Sequence, residues 1–212
     1  KGKHLLNIDS EEEGVFTVSC AGGNVAKCTL PLKGNQYSGE AVLITITGLK
    51  GGHSGVEINK GRANANVLMG RLLQEVRKIC GLRILTVDGG LKDNAIPRES
   101  KAAIVVDCAK TLPEIIQKYE AIFKNEYNTS DSDVSVTYEN VKVTDKILQD
   151  DDTTDKVIYL LACLPNGIQA MSMDIEGLVQ TSLNMGIVNT LTDSLDISFC
   201  VRSSVDTQKE ML

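Results

Sequence analysis

The chain has 212 residues, 42% of them apolar and 24% charged, which suits one large or two small folded domains and excludes global disorder. A net charge of −6, no tryptophan and only 4% aromatic residues argue against nucleic acid or an anionic membrane as a partner. No apolar run approaches the roughly 20 residues of a membrane span, and the six cysteines, with no C-x-x-C pair, read as buried free thiols of a reducing cytoplasm rather than as a zinc site.

In chain order, Leu5–Ile8 predicts a short strand ending in Asp9, and Glu11-Glu12-Glu13-Gly14 a solvated acidic turn. Val15–Cys20 and Val25–Leu32 predict two more strands. Residues 35–39 predict a linker, and a domain boundary is expected there. Glu40–Leu49 alternates Val42, Ile44 and Ile46 against Leu43, Thr45 and Thr47, a β-branched strand pattern. Gly61–Cys80 predicts a helix with a stripe of Ala65, Leu68, Leu72, Val76 and Ile79, stopped by Gly81. Strands follow at Leu82–Asp88 and Lys101–Cys108, the second apolar enough to be buried on both faces. Thr111 and Glu114 have capping-box spacing before a helix ending near Tyr127, and Asp133–Val143 alternates as a strand.

The order from 40 to 143 is therefore strand, helix, strand, strand, helix, strand. That order predicts an α+β, ferredoxin-like split βαβ unit: an antiparallel sheet with helices on one face. A second, incomplete α/β unit is expected to extend it: a helix over 154–164, strands at Ile168–Met173, Gly177–Asn189 and Leu195–Arg202, and a helix starting after Asp206. The chain opens inside a strand pattern and closes at the start of a helix pattern, which predicts a fragment of a longer protein.

Five places could carry chemistry. Asp9 ends a strand, where α/β folds place ligands, and with Glu11–Glu13 could hold a cation or simply form a solvated turn. His53 sits in Gly51-Gly-His-Ser-Gly55, whose glycines allow a tight turn or close approach to a ligand; locally it also reads as an ordinary loop histidine. Asn94 follows a strand and can donate and accept, or merely occupy a turn. Arg202 ends a strand, where a guanidinium can clamp a carboxylate or form a structural ion pair. Ser182 and Asn184, in Gln180-Thr-Ser-Leu-Asn-Met-Gly186, are the last pair. There is no Gly-x-Ser-x-Gly, P-loop or dinucleotide fingerprint.

Taken together, several stretches resemble the di-zinc peptidase superfamily that includes peptidase T and carnosinase, and within it the aminoacyl-histidine dipeptidases. They are Leu5–Gly14 with Cys20–Gly23, Gly48–Ile58 with Gly61 and Asn64–Asn66, Asp93–Glu99, Ser182–Gly186 and Val201–Ser204. They run through nearly the whole chain in the expected order.

The resemblance implies a zinc-dependent dipeptidase acting on dipeptides, Xaa-His included, through metal-activated water. Residues 1–36 would be part of the catalytic domain, 37–205 the lid and dimerisation domain, and 206–212 the return to the catalytic domain. Asp9 would ligate one of two zinc ions. His53 would polarise the scissile carbonyl, often in the other subunit's site. Asn94 and Arg202 would hold the substrate carboxylate, with Ser182 and Asn184 nearby. The partners implied are a dipeptide and a second copy joined through the lid.

The remaining zinc ligands and the general base match nothing here, and Glu11 and Glu12 occupy a different motif. Where many relatives carry Asp-x-Arg, this chain reads Asp107-Cys108-Ala109, so a clamp would come from Arg202. The fragment alone is therefore expected to be inactive. Two alternatives stand beside this reading: a stand-alone ferredoxin-like binding module without catalysis, and a tripeptidase or other exopeptidase of the same superfamily.

Overall fold

The computed structural model describes residues 13–15, 20–108 and 110–212. Among these, ten strands and four α-helices occur in the order β1 (Gly22–Pro31), β2 (Gly34–Thr47), β3 (Gly52–His53), α1 (Ala65–Ile79), β4 (Leu82–Gly89), β5 (Ala95–Ile96), β6 (Ser100–Val106), α2 (Leu112–Glu126), β7 (Ser135–Gln149), α3 (Asp151–Cys163), β8 (Gly167–Met171), β9 (Val179–Thr190), β10 (Ser194–Ser203) and α4 (Asp206–Met211).

Strands β4-β6-β2-β7 lie side by side, all antiparallel. With α1 and α2 this is the expected split βαβ unit. The second unit extends the same sheet: β9 joins β4, β10 joins β9, and β1 forms the far edge along β10. The β4–β9 seam is one backbone pair, Gly89 with Val188, reinforced by Thr190, whose hydroxyl takes the Val87 N–H and donates to the Val87 carbonyl.

One continuous core lies between the sheet and the helices. Ile44 and Ile46 of β2 meet Leu68, Leu72 and Val76 of α1, Phe123 of α2 and Leu161 of α3. Each fully buried leucine here contributes roughly 2 kcal/mol of transfer free energy. Ile79, expected on the α1 stripe, is 52% exposed, because the helix ends there and turns its last residue outward.

Other expectations need correction. Residues 35–39 are not a linker: they are the first half of β2 and pair with the second half of β7. Helix α1 begins at Ala65 rather than Gly61, because Asn64 caps it by accepting from the N–H groups of Asn66 and Val67. Thr111 makes no side-chain cap on α2. Helix α3 starts earlier than expected, since Asp150 accepts from the Thr153 N–H.

The cysteines are not all free. Antiparallel pairing of Leu82 with Val106 brings Cys80 and Cys108 opposite one another, with Cα atoms 5.5 Å apart and the sulfurs bonded. Of the rest, Cys20, Cys28 and Cys163 are exposed and only Cys200 is buried.

Candidate functional site

His53 and Asn94 are brought together by two very short strands. β3 pairs with β5, His53 opposite Ala95, and the Ser54 N–H donates to the Asn94 carbonyl at 2.9 Å. Both residues line an open cleft of about 1020 Å³, with Lys50, Leu91, Lys92, Pro97, Arg98, Glu99 and Asp133 around it.

The His53 ring is oriented by its own loop. Its Nδ1 accepts from the N–H groups of Gly55 and Val56, both at 3.2 Å. In the neutral ring this places the proton on Nε2, so the outward nitrogen is a donor. Nε2 has no partner among the described residues, and the side chain is exposed.

The main chain at His53 is held by Glu57, whose Oε2 accepts the His53 N–H at 2.8 Å. Arg62 pairs with the other Glu57 oxygen at 2.9 Å and donates to the Gly51 carbonyl. The His53 N–H holds the Glu57 carboxyl below its ordinary range, against an opposing push from burial and with help from the Arg62 charge. A depressed carboxylate contributes stability that is complete above the ordinary range and is lost as pH falls through the folded value. In that acid window the His53 amide proton resonance should titrate, and Glu57→Gln should abolish the titration. A His53 amide that titrates equally in the glutamine variant removes Glu57 from this role.

Arg202 approaches from the sheet. Val201 and Leu183 turn into the helix-side core, so Arg202 and its cross-strand partner Ser182 share the opposite face, as do Cys200 and Asn184. Ser182 and Asn184 are buried there. Arg202 and His53 meet at Gly55: a Cβ on that glycine would lie 2.9 Å from His53 Cε1 and 3.1 Å from Arg202 Nε. Any side chain at position 55 would push the two apart. Arg202 Nε is buried and finds no hydrogen-bond partner among the described residues, as is true of Ser54 Oγ, which lies between His53 and Gly55 in sequence. An unpartnered buried guanidinium N–H is costly unless an acceptor arrives.

Asn184 is committed elsewhere. Its amide donates to the Asp93 and Ala95 carbonyls, both at 2.9 Å, and its oxygen accepts from Asn64. It therefore tethers the loop that carries Asn94. Gly90 closes the same loop against β9: its φ is +75°, and a Cβ there would overlap the Gly186 carbonyl oxygen. Asp9 lies outside the described residues. So the structure brings His53, Asn94, Arg202 and Ser182 to one region and gives Asn184 a holding role.

The sequence reading missed Glu57 and Asn64. Glu57 lies four residues after His53, a spacing that offered a signal; Asn64 offered only its cap position.

The described residues do not fit a zinc centre. No group of three or more His, Cys, Asp or Glu among them could hold a metal ion, and His53 Nδ1 is already occupied by backbone N–H groups. No helix among them is long and apolar enough to cross a membrane.

Residues 44–131 match the family model described as the peptidase dimerisation domain. Over 210 residues, 97% of the chain, it is 37% identical to the cytosol non-specific dipeptidase of Escherichia coli (strain K12). It also superposes on the crystal structure of aminoacylhistidine dipeptidase from Vibrio alginolyticus, with a TM-score of 0.89 and 33% identity over 100% of the chain. The chain spans 43% of the first relative and 44% of the second. The matched stretch runs from mid-β2 to the turn after α2, covering the first split βαβ unit up to but not including β7.

Proposed function

We propose that this chain is the lid and dimerisation part of a cytosolic zinc dipeptidase that hydrolyses dipeptides, Xaa-His types among them. The observation that carries the reading is the meeting of His53 and Arg202 at Gly55, beside Asn94. The names of the two relatives supply the substrate class.

On this reading Nε2–H of His53 donates to the scissile carbonyl and holds the charge that develops on its oxygen. The unpartnered Arg202 guanidinium takes the free C-terminal carboxylate, with Asn94 and Ser182 beside it. A cation set to pair with a terminal carboxylate at a fixed distance from the carbonyl donor selects short peptides. Zinc belongs to the whole protein: the described residues supply no ligand set for it, and Asp9 is the one position of this chain proposed as a ligand. On this reading residues 37–205 form the lid, β1 and the start of β2 complete its sheet, and the catalytic domain takes the chain before Gly22 and residues 206–212.

A homodimer through the lid is part of the proposal. The free edge of β7 offers unpaired backbone groups for a second copy, beside a shallow groove with α2 in which Pro113 and the exposed Tyr138 stand next to Gln117, Glu120 and Thr137.

The test is turnover by the whole protein that carries this chain, across a panel of Xaa-His and other dipeptides and tripeptides. Dipeptide hydrolysis that stops on metal removal is the expected result, with no turnover by the 212 residues alone. Hydrolysis of tripeptides in preference to dipeptides, or turnover by the isolated chain, overturns the reading.

A further inference from the structure

We propose that Asp131 is the positioning residue of the His53 loop, a carboxylate clip that closes both ends of residues 50–63 and so fixes where the histidine stands. Asp131 is 0% exposed and lies on the turn between α2 and β7. Its Oδ1 accepts the Lys50 N–H at 2.8 Å, and its Oδ2 accepts the Ala63 N–H at 2.9 Å. Lys50 and Ala63 flank the glycine-rich segment that contains His53, Glu57 and Arg62. One side chain therefore shuts a loop whose two ends both leave the core.

The clip itself is rigidly mounted. The Asp131 N–H donates to the Tyr127 carbonyl at the end of α2, and its carbonyl accepts from Val134 as the chain enters β7. Inside the loop, Glu57 and Arg62 fix the backbone at His53 and Gly51, as described above, while the Asp131 clip fixes the loop to the domain. Loop closure costs entropy that grows slowly with length, so the closing bonds decide whether such a loop holds one shape. Bonds from backbone N–H groups to a buried carboxylate are among the stronger ones available.

The importance of the clip for catalysis rests on the donor role proposed for His53. The test reads loop geometry rather than turnover, so its failure is separate from a failure of that role. In this chain, hydrogen exchange and ring-nitrogen NMR are measured for the wild type, Asp131→Asn and Asp131→Ala in mildly alkaline buffer. The asparagine keeps one acceptor oxygen and turns an NH2 group on one of the two N–H donors. Exchange at Lys50 or Ala63 should then accelerate roughly tenfold to hundredfold in Asp131→Asn, and at both in Asp131→Ala. The His53 ring nitrogens should move from a single Nε2–H tautomer toward an average of the two. Amides of Leu72 in α1 and Ile104 in β6 should keep wild-type protection.

The proposal is overturned if Lys50 and Ala63 exchange at wild-type rates with unchanged His53 nitrogens. It is equally overturned if Leu72 and Ile104 accelerate by the same factor in Asp131→Asn, which would make the carboxylate a support of the whole fold. Should Asp131→Ala fail to fold, the near-isosteric asparagine variant decides alone.

Discussion

On the donor role proposed for His53, replacing it by alanine in the whole protein should lower kcat for the proposed dipeptide hydrolysis by about 10²–10³, the usual cost of removing one oxyanion donor. KM should change much less. The donor meets the oxygen most strongly as charge develops, and an interaction confined to the transition state appears in kcat. The geometry favours a donor over a base. Nδ1 is held by the Gly55 and Val56 N–H groups, which leaves Nε2–H to face outward. His53→Gln, whose amide can also donate, should retain part of the rate. The loss should not come through folding, because the side chain is exposed and water can replace it at the two backbone groups. A kcat within threefold of wild type for His53→Ala, measured by steady-state kinetics on an Xaa-His dipeptide, would remove His53 from the chemistry.

The regular elements were legible wherever a period could express itself. Ile44 and Ile46 repeat at two residues, and Leu68, Leu72 and Val76 at four, and both sets are in the core. The strand–helix–strand–strand–helix–strand order then led directly to the β4-β6-β2-β7 sheet. Residues 35–39 were not legible as strand because nothing local makes Asn-Gln-Tyr-Ser-Gly extended. Their partner is the second half of β7, more than a hundred residues away. The Cys80–Cys108 bond was hidden for a similar reason: it follows from the register of β4 on β6, which no cysteine spacing encodes.

The residues proposed for the site stand out one by one in the sequence, but their meeting does not. His53, Asn94 and Arg202 stand out as polar residues at turns and strand ends. What joins them is a pair of two-residue strands, too short to carry any alternation, and a glycine contact between residues distant in sequence. The residues that hold them were the least legible. Asp131 and Asn184 look like ordinary polar residues, since their partners lie 81 and about 90 residues away. By sequence Asn184 groups with the substrate contacts, and only its hydrogen bonds reveal a tether.

That tether sets up the largest stability effect expected in the molecule. Asn184→Asp should destabilise the chain by about 3–5 kcal/mol at neutral pH, by removing one partner of a buried network and leaving a charge unpaired. The side chain is 1% exposed, and its NH2 group donates to two carbonyls, those of Asp93 and Ala95. Aspartate has the same shape but presents oxygen to both carbonyls, so two attractive contacts become repulsive where water cannot screen them. For a chain of this size the loss corresponds to a fall in Tm of about 10 °C. Asn184→Leu loses the same bonds without adding charge and should fall by less. The two variants also differ in pH dependence. In Asn184→Asp the new carboxyl is buried against two carbonyl oxygens, so its folded pKa is raised and the deficit is present above that value. It shrinks as pH falls through that value, because the neutral acid regains one donor. Asn184→Leu has no such recovery. Chemical denaturation of both variants at neutral and mildly acid pH separates these outcomes. A Asn184→Asp variant within 1 kcal/mol of wild type at neutral pH, or one whose deficit does not shrink in acid, would mean that the Asp93–Ala95 loop is held by Gly90 and the β3–β5 pair without Asn184.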